Sequence, residues 1–373
     1  MPSHLGEDGL VSKVRGPAAV TQDVLKAGYE SDTRSLDGSP KAIRSQAHVD
    51  KRSWGYLLKS GVAGGLAGCA AKTVVGPLDR VKILFQASSP QFAKYSGSWS
   101  GLIFAMRDIN QQEGVRGLFR GHSATLLRIF PYAGIKFLVY EQIRAVLIPD
   151  QTKETPFRRL LSGSLAGVTS VFFTYPLEII RVRLAFETKR DSRASLRRIC
   201  NTIYHEHPPT PPGSALETVK PSSGFVNFYR GFTPTIAGMI PYAGMSFLTH
   251  DTVGDWLRHP SIAQHTTLPS TSETKKDQKL RLRNWAELVS GAAAGLIAQT
   301  ASYPLEVIRR RMQVGGAVGD GKMLTMRETA TRIFAERGAA GFFVGLSIGY
   351  IKVIPLAAIS FWVYERSKIA FGI

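Results

Sequence analysis

Three stretches decide the fold: Pro77-Leu-Asp-Arg-Val-Lys82, Pro176-Leu-Glu-Ile-Ile-Arg181 and Pro304-Leu-Glu-Val-Ile-Arg309. Each puts an acid two residues after a proline and a base three residues after the acid. Working outward, each follows an apolar stretch with a glycine pair (Gly64/Gly68, Gly163/Gly167, Gly291/Gly295), always thirteen and nine residues before the proline. Downstream come Gly114 and Gly121, Gly224 and Gly231, and Gly338 and Gly345. A second proline stands ten residues beyond the later glycine (Pro131, Pro241, Pro355), with an aromatic six residues further on (Phe137, Phe247, Phe361). So many landmarks at fixed offsets, three times over, make the chain a tandem triplicate, and a repeat settles architecture before any local reading does.

Each unit holds two apolar stretches of about 20 residues, the length that crosses a bilayer. The first of each pair runs near Tyr56–Phe85, Leu160–Ala185 and Ala286–Met312, the second near Ser123–Arg144, Thr233–Leu257 and Leu346–Ala370. The expected fold is an all-α membrane protein, with six spans in three pseudo-symmetric repeats closing a barrel-like bundle and both termini on one side. Internal Pro and Gly are tolerated in such spans where neighbours or a cavity satisfy the freed backbone, and the small-residue pairs should let helices approach closely. Short amphipathic helices are expected near Ser98–Gln112, Arg193–His205 and Met326–Arg337, along the membrane surface. The boundaries that follow are a polar tail over 1–52, repeats over 53–149, 156–258 and 284–373, a Pro-rich insertion near 205–223 inside the second, and a polar loop over 259–283.

Among 373 residues, 47 Lys and Arg face 28 Asp and Glu, a formal charge of +19 that calls for an anionic partner. A nucleic-acid binder would show a clustered basic face with interleaved aromatics; here the bases flank apolar spans. Two cysteines, Cys69 and Cys200, without a Cys-x-x-Cys or a His cluster, give no metal site. No catalytic constellation emerges either. His122, His205 and His207 lack carboxylates at ligand spacing, and Gly121-His-Ser123 lacks the flanking glycine of a nucleophile elbow. No cofactor is expected, and no enzyme.

The triple proline motif, with a downstream aromatic-acid-x-x-base, resembles the mitochondrial carrier family over residues 53–373. Within it, Gly121-His-Ser-Ala-Thr-Leu-Leu-Arg-Ile-Phe-Pro-Tyr-Ala133 and Gly345-Leu-Ser-Ile-Gly-Tyr-Ile-Lys-Val-Ile-Pro355 are similar to fungal coenzyme A carriers, as are the long tail and the two insertions. The resemblance implies a multi-pass transporter of the mitochondrial inner membrane, working by alternating access and exchange as a monomer. Its partners would be an anionic small molecule and membrane lipid, cardiolipin included.

Charged pairs repeated within membrane spans are costly and point inward. With threefold pseudo-symmetry, Asp79, Glu178 and Glu306 can each meet a base of a neighbouring repeat, Lys82, Arg181 or Arg309, and close one end. The resemblance implies that this is the matrix gate, with Gln86 and Gln313 as braces and Ala185 leaving one brace out. The cytoplasmic gate it implies uses Glu141 with Arg144, Asp251, and Glu365 with Lys368, next to Tyr140 and Tyr364. In the second repeat Gly254 stands for the base and His250 for the tyrosine, so that gate should open more easily.

Between the gates, the resemblance places a substrate site on the second helix of each repeat. One ring holds Arg128, Gly238 and Lys352, the next Ile129, Met239 and Val353. Such a site fits a molecule anionic at two points and flat at a third. Gly238 and Met239 resemble an adenine slot, with Tyr242 one turn on. Lys72 and Lys136 add cations absent from the other repeats, and Arg310 is also unique to its repeat. Four cations suit a pyrophosphate plus a further phosphate, the charge set of coenzyme A. A related adenosine 3′,5′-bisphosphate, or another adenine nucleotide, is the alternative. ADP/ATP exchange fits less well, because Arg309-Arg-Arg-Met312 continues as Gln313-Val314.

Overall fold

The structure is a computed structural model that describes residues 54–96, 99–148, 155–187, 196–206, 224–268, 280–316 and 324–372. The tail over 1–52, the core of the Pro-rich insertion with His207, and Lys275, Lys276 and Lys279 lie outside them.

The first helix of each repeat is α1 (Trp54–Val74) continued by α2 (Gly76–Gln86), then α5 (Pro156–Phe186) and α9 (Asn284–Val314). The second is α4 (His122–Leu147), then α7 (Phe232–Leu257), then α11 (Leu346–Ile351) continued by α12 (Val353–Phe371). Between them lie α3 (Trp99–Glu113), α6 (Leu196–Tyr204) and α10 (Met326–Arg337). The last starts with a capping box: Glu328 N–H donates to Thr325 Oγ1, and Thr325 N–H to the Glu328 carboxylate.

Closure follows the repeat symmetry. The second helix of each repeat packs along the first helix of the next: α4 on α5, α7 on α9, and α12 back on α1. At these seams the left-handed glycines Gly121, Gly231 and Gly345 cap the second helices. A side chain at Gly121 would put Cβ 2.6 Å from the Arg181 carbonyl oxygen, so both the positive φ and the close approach demand glycine.

The bundle is inside-out. Asp79, Arg80, Lys82, Glu178 and Arg310 are buried, whereas Val146, Ile354, Ile240 and Leu58 are more than two-thirds exposed. That distribution suits hydrocarbon outside and a polar interior. Among the described residues, two helical stretches, Leu161–Phe186 and Ala339–Phe371, pass on length and hydropathy as spans, and the bent pair Leu58–Val74 with Gly76–Gln86 makes a third. The other three are long enough, since 26 residues rise about 39 Å. Charges or Gly, Pro and Thr lower their hydropathy.

The structure departs from the sequence reading at several points. The first span is bent by 61° at Val75, where Gly76 and Pro77 weaken the ladder, while α5 and α9 run on through their prolines. The glycine pairs do not act uniformly as helix contacts. Gly68 and Gly167 face a neighbouring side chain, but at Gly64, Gly163, Gly291 and Gly295 a Cβ would point into open space. The loop over 259–283 is also more ordered at its ends than a solvated loop. A short helix, α8 (Pro260–Thr266), and an antiparallel bridge between Thr267 and Leu282 form a neck, which covers the cluster of Leu257, Leu282 and Ala286.

Candidate functional site

The helix ends carrying the proline motifs converge on a ring of ion pairs. Arg181 donates to Asp79 at 3.0 Å, Lys82 to Glu306 at 2.9 Å, and Arg309 pairs with Glu178 at 3.0 Å. Each acid therefore meets a base from another repeat, and the three pairs tie all three repeats together. Behind two of them sit buried hydrogen bonds: Gln86 Nε2 donates to Tyr303 Oη at 3.0 Å, and Gln313 Nε2 to Tyr175 Oη at 3.1 Å. Those tyrosines precede Pro304 and Pro176. In the remaining seam both partners are missing together, for Ala185 replaces the glutamine and Gly76 the tyrosine. Phe119 and His122 occupy the space beside Gly76. There Arg80, buried and unique to its repeat, pairs with Glu113 at 2.9 Å and donates to the Ala185 carbonyl.

The ring residues line a cavity of about 230 Å³. Seven cations line it against three carboxylates, an excess of four positive charges. Lys352 donates to Asp79 at 2.9 Å, and Arg128 pairs with Glu178, which also receives Arg310 at 2.7 Å. Lys72 lines the same cavity with no hydrogen bond or salt bridge among the described residues. The excess is uneven: the Glu178 corner gathers three guanidiniums and the Asp79 corner gathers Arg181, Lys352 and Lys72, while Glu306 has Lys82 as its direct ion-pair partner.

Other sequence candidates fall elsewhere. Lys136 does not line this cavity; its ammonium stands 6.0 Å above the Tyr132 ring, which also carries the Arg128 guanidinium at 5.4 Å. Gly238 packs toward Leu305, where a Cβ would stand 3.6 Å from Leu305 Cβ, and Met239 reaches Gly167 and the apolar cluster around Val171 and Tyr175. These are helix-to-helix contacts. Tyr242 is nearly half exposed.

The opposite end is organised differently. Lys368 pairs with Glu365 of its own helix at 3.8 Å and lies over the Tyr364 ring. Tyr364 Oη meets Ser60 Oγ at 3.2 Å, and at the equivalent seam His250 faces Glu287 at 3.5 Å. Among the described residues, no ion pair joins Glu141 or Asp251 to another repeat. Sequence reasoning left Arg80 unused and did not foresee that Arg128 and Lys352 would reach the ring acids; that Arg80 alone among its three equivalents is charged (Ile179, Val307) was the available signal.

Comparison with known proteins fits this geometry. The family model described as mitochondrial carrier protein matches residues 53–151, 152–261 and 281–372. The mitochondrial carrier protein LEU5 of Saccharomyces cerevisiae is 52% identical over 347 residues, covering 89% of this chain and 96% of its own. Human solute carrier family 25 member 16 is 40% identical over 316 residues, covering 84% and 88%. The zebrafish (Danio rerio) mitochondrial coenzyme A transporter SLC25A42 is 36% identical over 338 residues, covering 88% and 91%. With three family matches laid end to end over three structural repeats, the chain belongs to the mitochondrial carrier family and is a multi-pass transporter of the mitochondrial inner membrane.

Proposed function

We propose that this carrier moves coenzyme A, or a closely related adenosine 3′,5′-bisphosphate-type nucleotide, by alternating access and exchange. The observation that carries the reading is the excess of four positive charges around the cavity at the ring. Coenzyme A brings a pyrophosphate and a ribose phosphate, about four negative charges at neutral pH. The substrate named for the zebrafish relative supports the same choice.

In this mechanism the proline-motif ring is the matrix gate, and the Glu141, Asp251 and Glu365 level is the cytoplasmic gate. Lys352 and Arg128 are held by Asp79 and Glu178. Substrate phosphates compete for those two cations and draw them off the carboxylates. Two of the three ring acids then lose part of their neutralisation, which loosens the gate only when substrate is present. The energy comes from binding that differs between the two states, the condition for any ligand-driven change. Lys72 adds a charge for the pyrophosphate. A place for the base at Gly238, next to Tyr242, requires the Gly238–Leu305 helix contact to open in another state of the carrier.

Uptake by purified protein in liposomes tests the reading, with labelled coenzyme A, adenosine 3′,5′-bisphosphate, ADP and ATP offered in turn. Saturable exchange of the first two, with ADP weak, is the expected result. Preference for ADP and ATP would move the substrate to another adenine nucleotide.

A further inference from the structure

Arg310 is one residue beyond the ring base of its repeat, where the others carry Ile83 and Val182. It is nine-tenths buried and donates to Glu178 Oε1 at 2.7 Å and to Gln313 Oε1 at 2.9 Å. It is thus a third guanidinium on a carboxylate that Arg128 and Arg309 already neutralise. Among the described residues, the Nε atoms of all three arginines are buried without a hydrogen-bond partner. Buried donors are ordinarily satisfied, and orphaned ones cost free energy. A surplus of two positive charges where three arginines line the cavity, with three N–H donors lacking a partner, is a site short of a doubly charged acceptor.

We infer that Arg310 builds a subsite for a terminal phosphate monoester, and so makes the carrier select substrates with a dianionic phosphate in addition to a diphosphate. The planar guanidinium fork matches phosphate oxygens. On arrival the phosphate takes Arg310 and Arg128, while Glu178 keeps Arg309. Lys72 and Lys352 at the Asp79 corner are left for a diphosphate. The choice of transported probe rests on the coenzyme A reading above; the subsite itself does not.

Two readouts on wild type, Arg310→Val and Arg310→Gln separate the possibilities. The first is the melting temperature in detergent with and without millimolar inorganic phosphate. The second is the ratio of coenzyme A to dephospho-coenzyme A exchange in liposomes. Phosphate should raise the wild-type melting temperature and leave both variants unmoved. The exchange ratio should fall about tenfold in the variants, the worth of one charge-assisted hydrogen bond. Arg310→Gln keeps a donor for Glu178 and carries the same expectation if Arg310→Val does not fold. If the phosphate response depends on Arg310 but wild type exchanges neither coenzyme, the subsite stands and the coenzyme A reading falls. A wild type indifferent to phosphate, or variants that keep both the phosphate response and the ratio, overturns the inference.

Discussion

The two ends of the bundle carry the same kind of charged motif and use it differently. At the proline-motif end, every acid bridges to another repeat, Glu178 is 3% exposed, and two buried glutamines brace the ring. At the opposite end Lys368 pairs within its own helix with Glu365, and both are more than a quarter exposed. The lesson is that a motif's strength is set by burial and by partners from other repeats. An exposed pair three residues apart contributes a few tenths of a kcal/mol, whereas a buried carboxylate shared by three guanidiniums cannot be removed cheaply.

The largest effect should follow from breaking the buried end. Glu178→Ala strands three guanidiniums and should cost about 3–5 kcal/mol, read as a collapse of the melting temperature in detergent. Asp251→Ala, its counterpart at the other end, should leave melting near wild type; equal losses would erase the contrast. Arg128→Ala and Lys352→Ala should abolish exchange and lower melting by less than Glu178→Ala does, since each ring acid keeps another base, and retained uptake would remove that residue from the site. Smaller again, Gln86→Ala and Gln313→Ala should each cost about 1 kcal/mol and speed exchange, whereas Ala185→Gln should bring no gain, because Gly76 offers no hydroxyl.

The smallest effect concerns pH. Glu336, on the α10 surface, is desolvated, which raises its pKa, but hydrogen bonds from Arg311 and Arg332 outweigh this and hold it below the ordinary carboxylate range. Its contribution is therefore fully present above that range and fades as pH falls through the lowered value. Glu336→Gln should slightly flatten the acid limb of the melting curve. An acid limb unchanged within error would show that this surface pair contributes nothing.

Much of the fold was legible because threefold repetition leaves little freedom. Offsets from Pro77, Pro176 and Pro304 gave the helix pairs and implied that each acid could reach a base of a neighbouring repeat. What escaped was whatever breaks the symmetry. The bend at Val75 comes from Gly76, visible in sequence but without a signal of its angle. The grasp of Asp79 by Lys352 depends on side-chain reach across repeats, which no spacing encodes. Gly238 shows the limit from the other direction: a glycine can clear room for a ligand or for Leu305, and the sequence reads the same.

Substrate phosphates that take Arg128 and Lys352 should unlock the proline-motif ring. Spin labels at Arg107→Cys and Arg327→Cys, on α3 and α10 with Cys69 and Cys200 changed to Ser, would report the separation of repeats one and three in liposomes. A single short distance is expected without substrate, and a second, longer population when coenzyme A is added, absent in Arg128→Ala. A distance distribution that ignores coenzyme A, in a protein that still exchanges it, would mean that substrate does not open the ring.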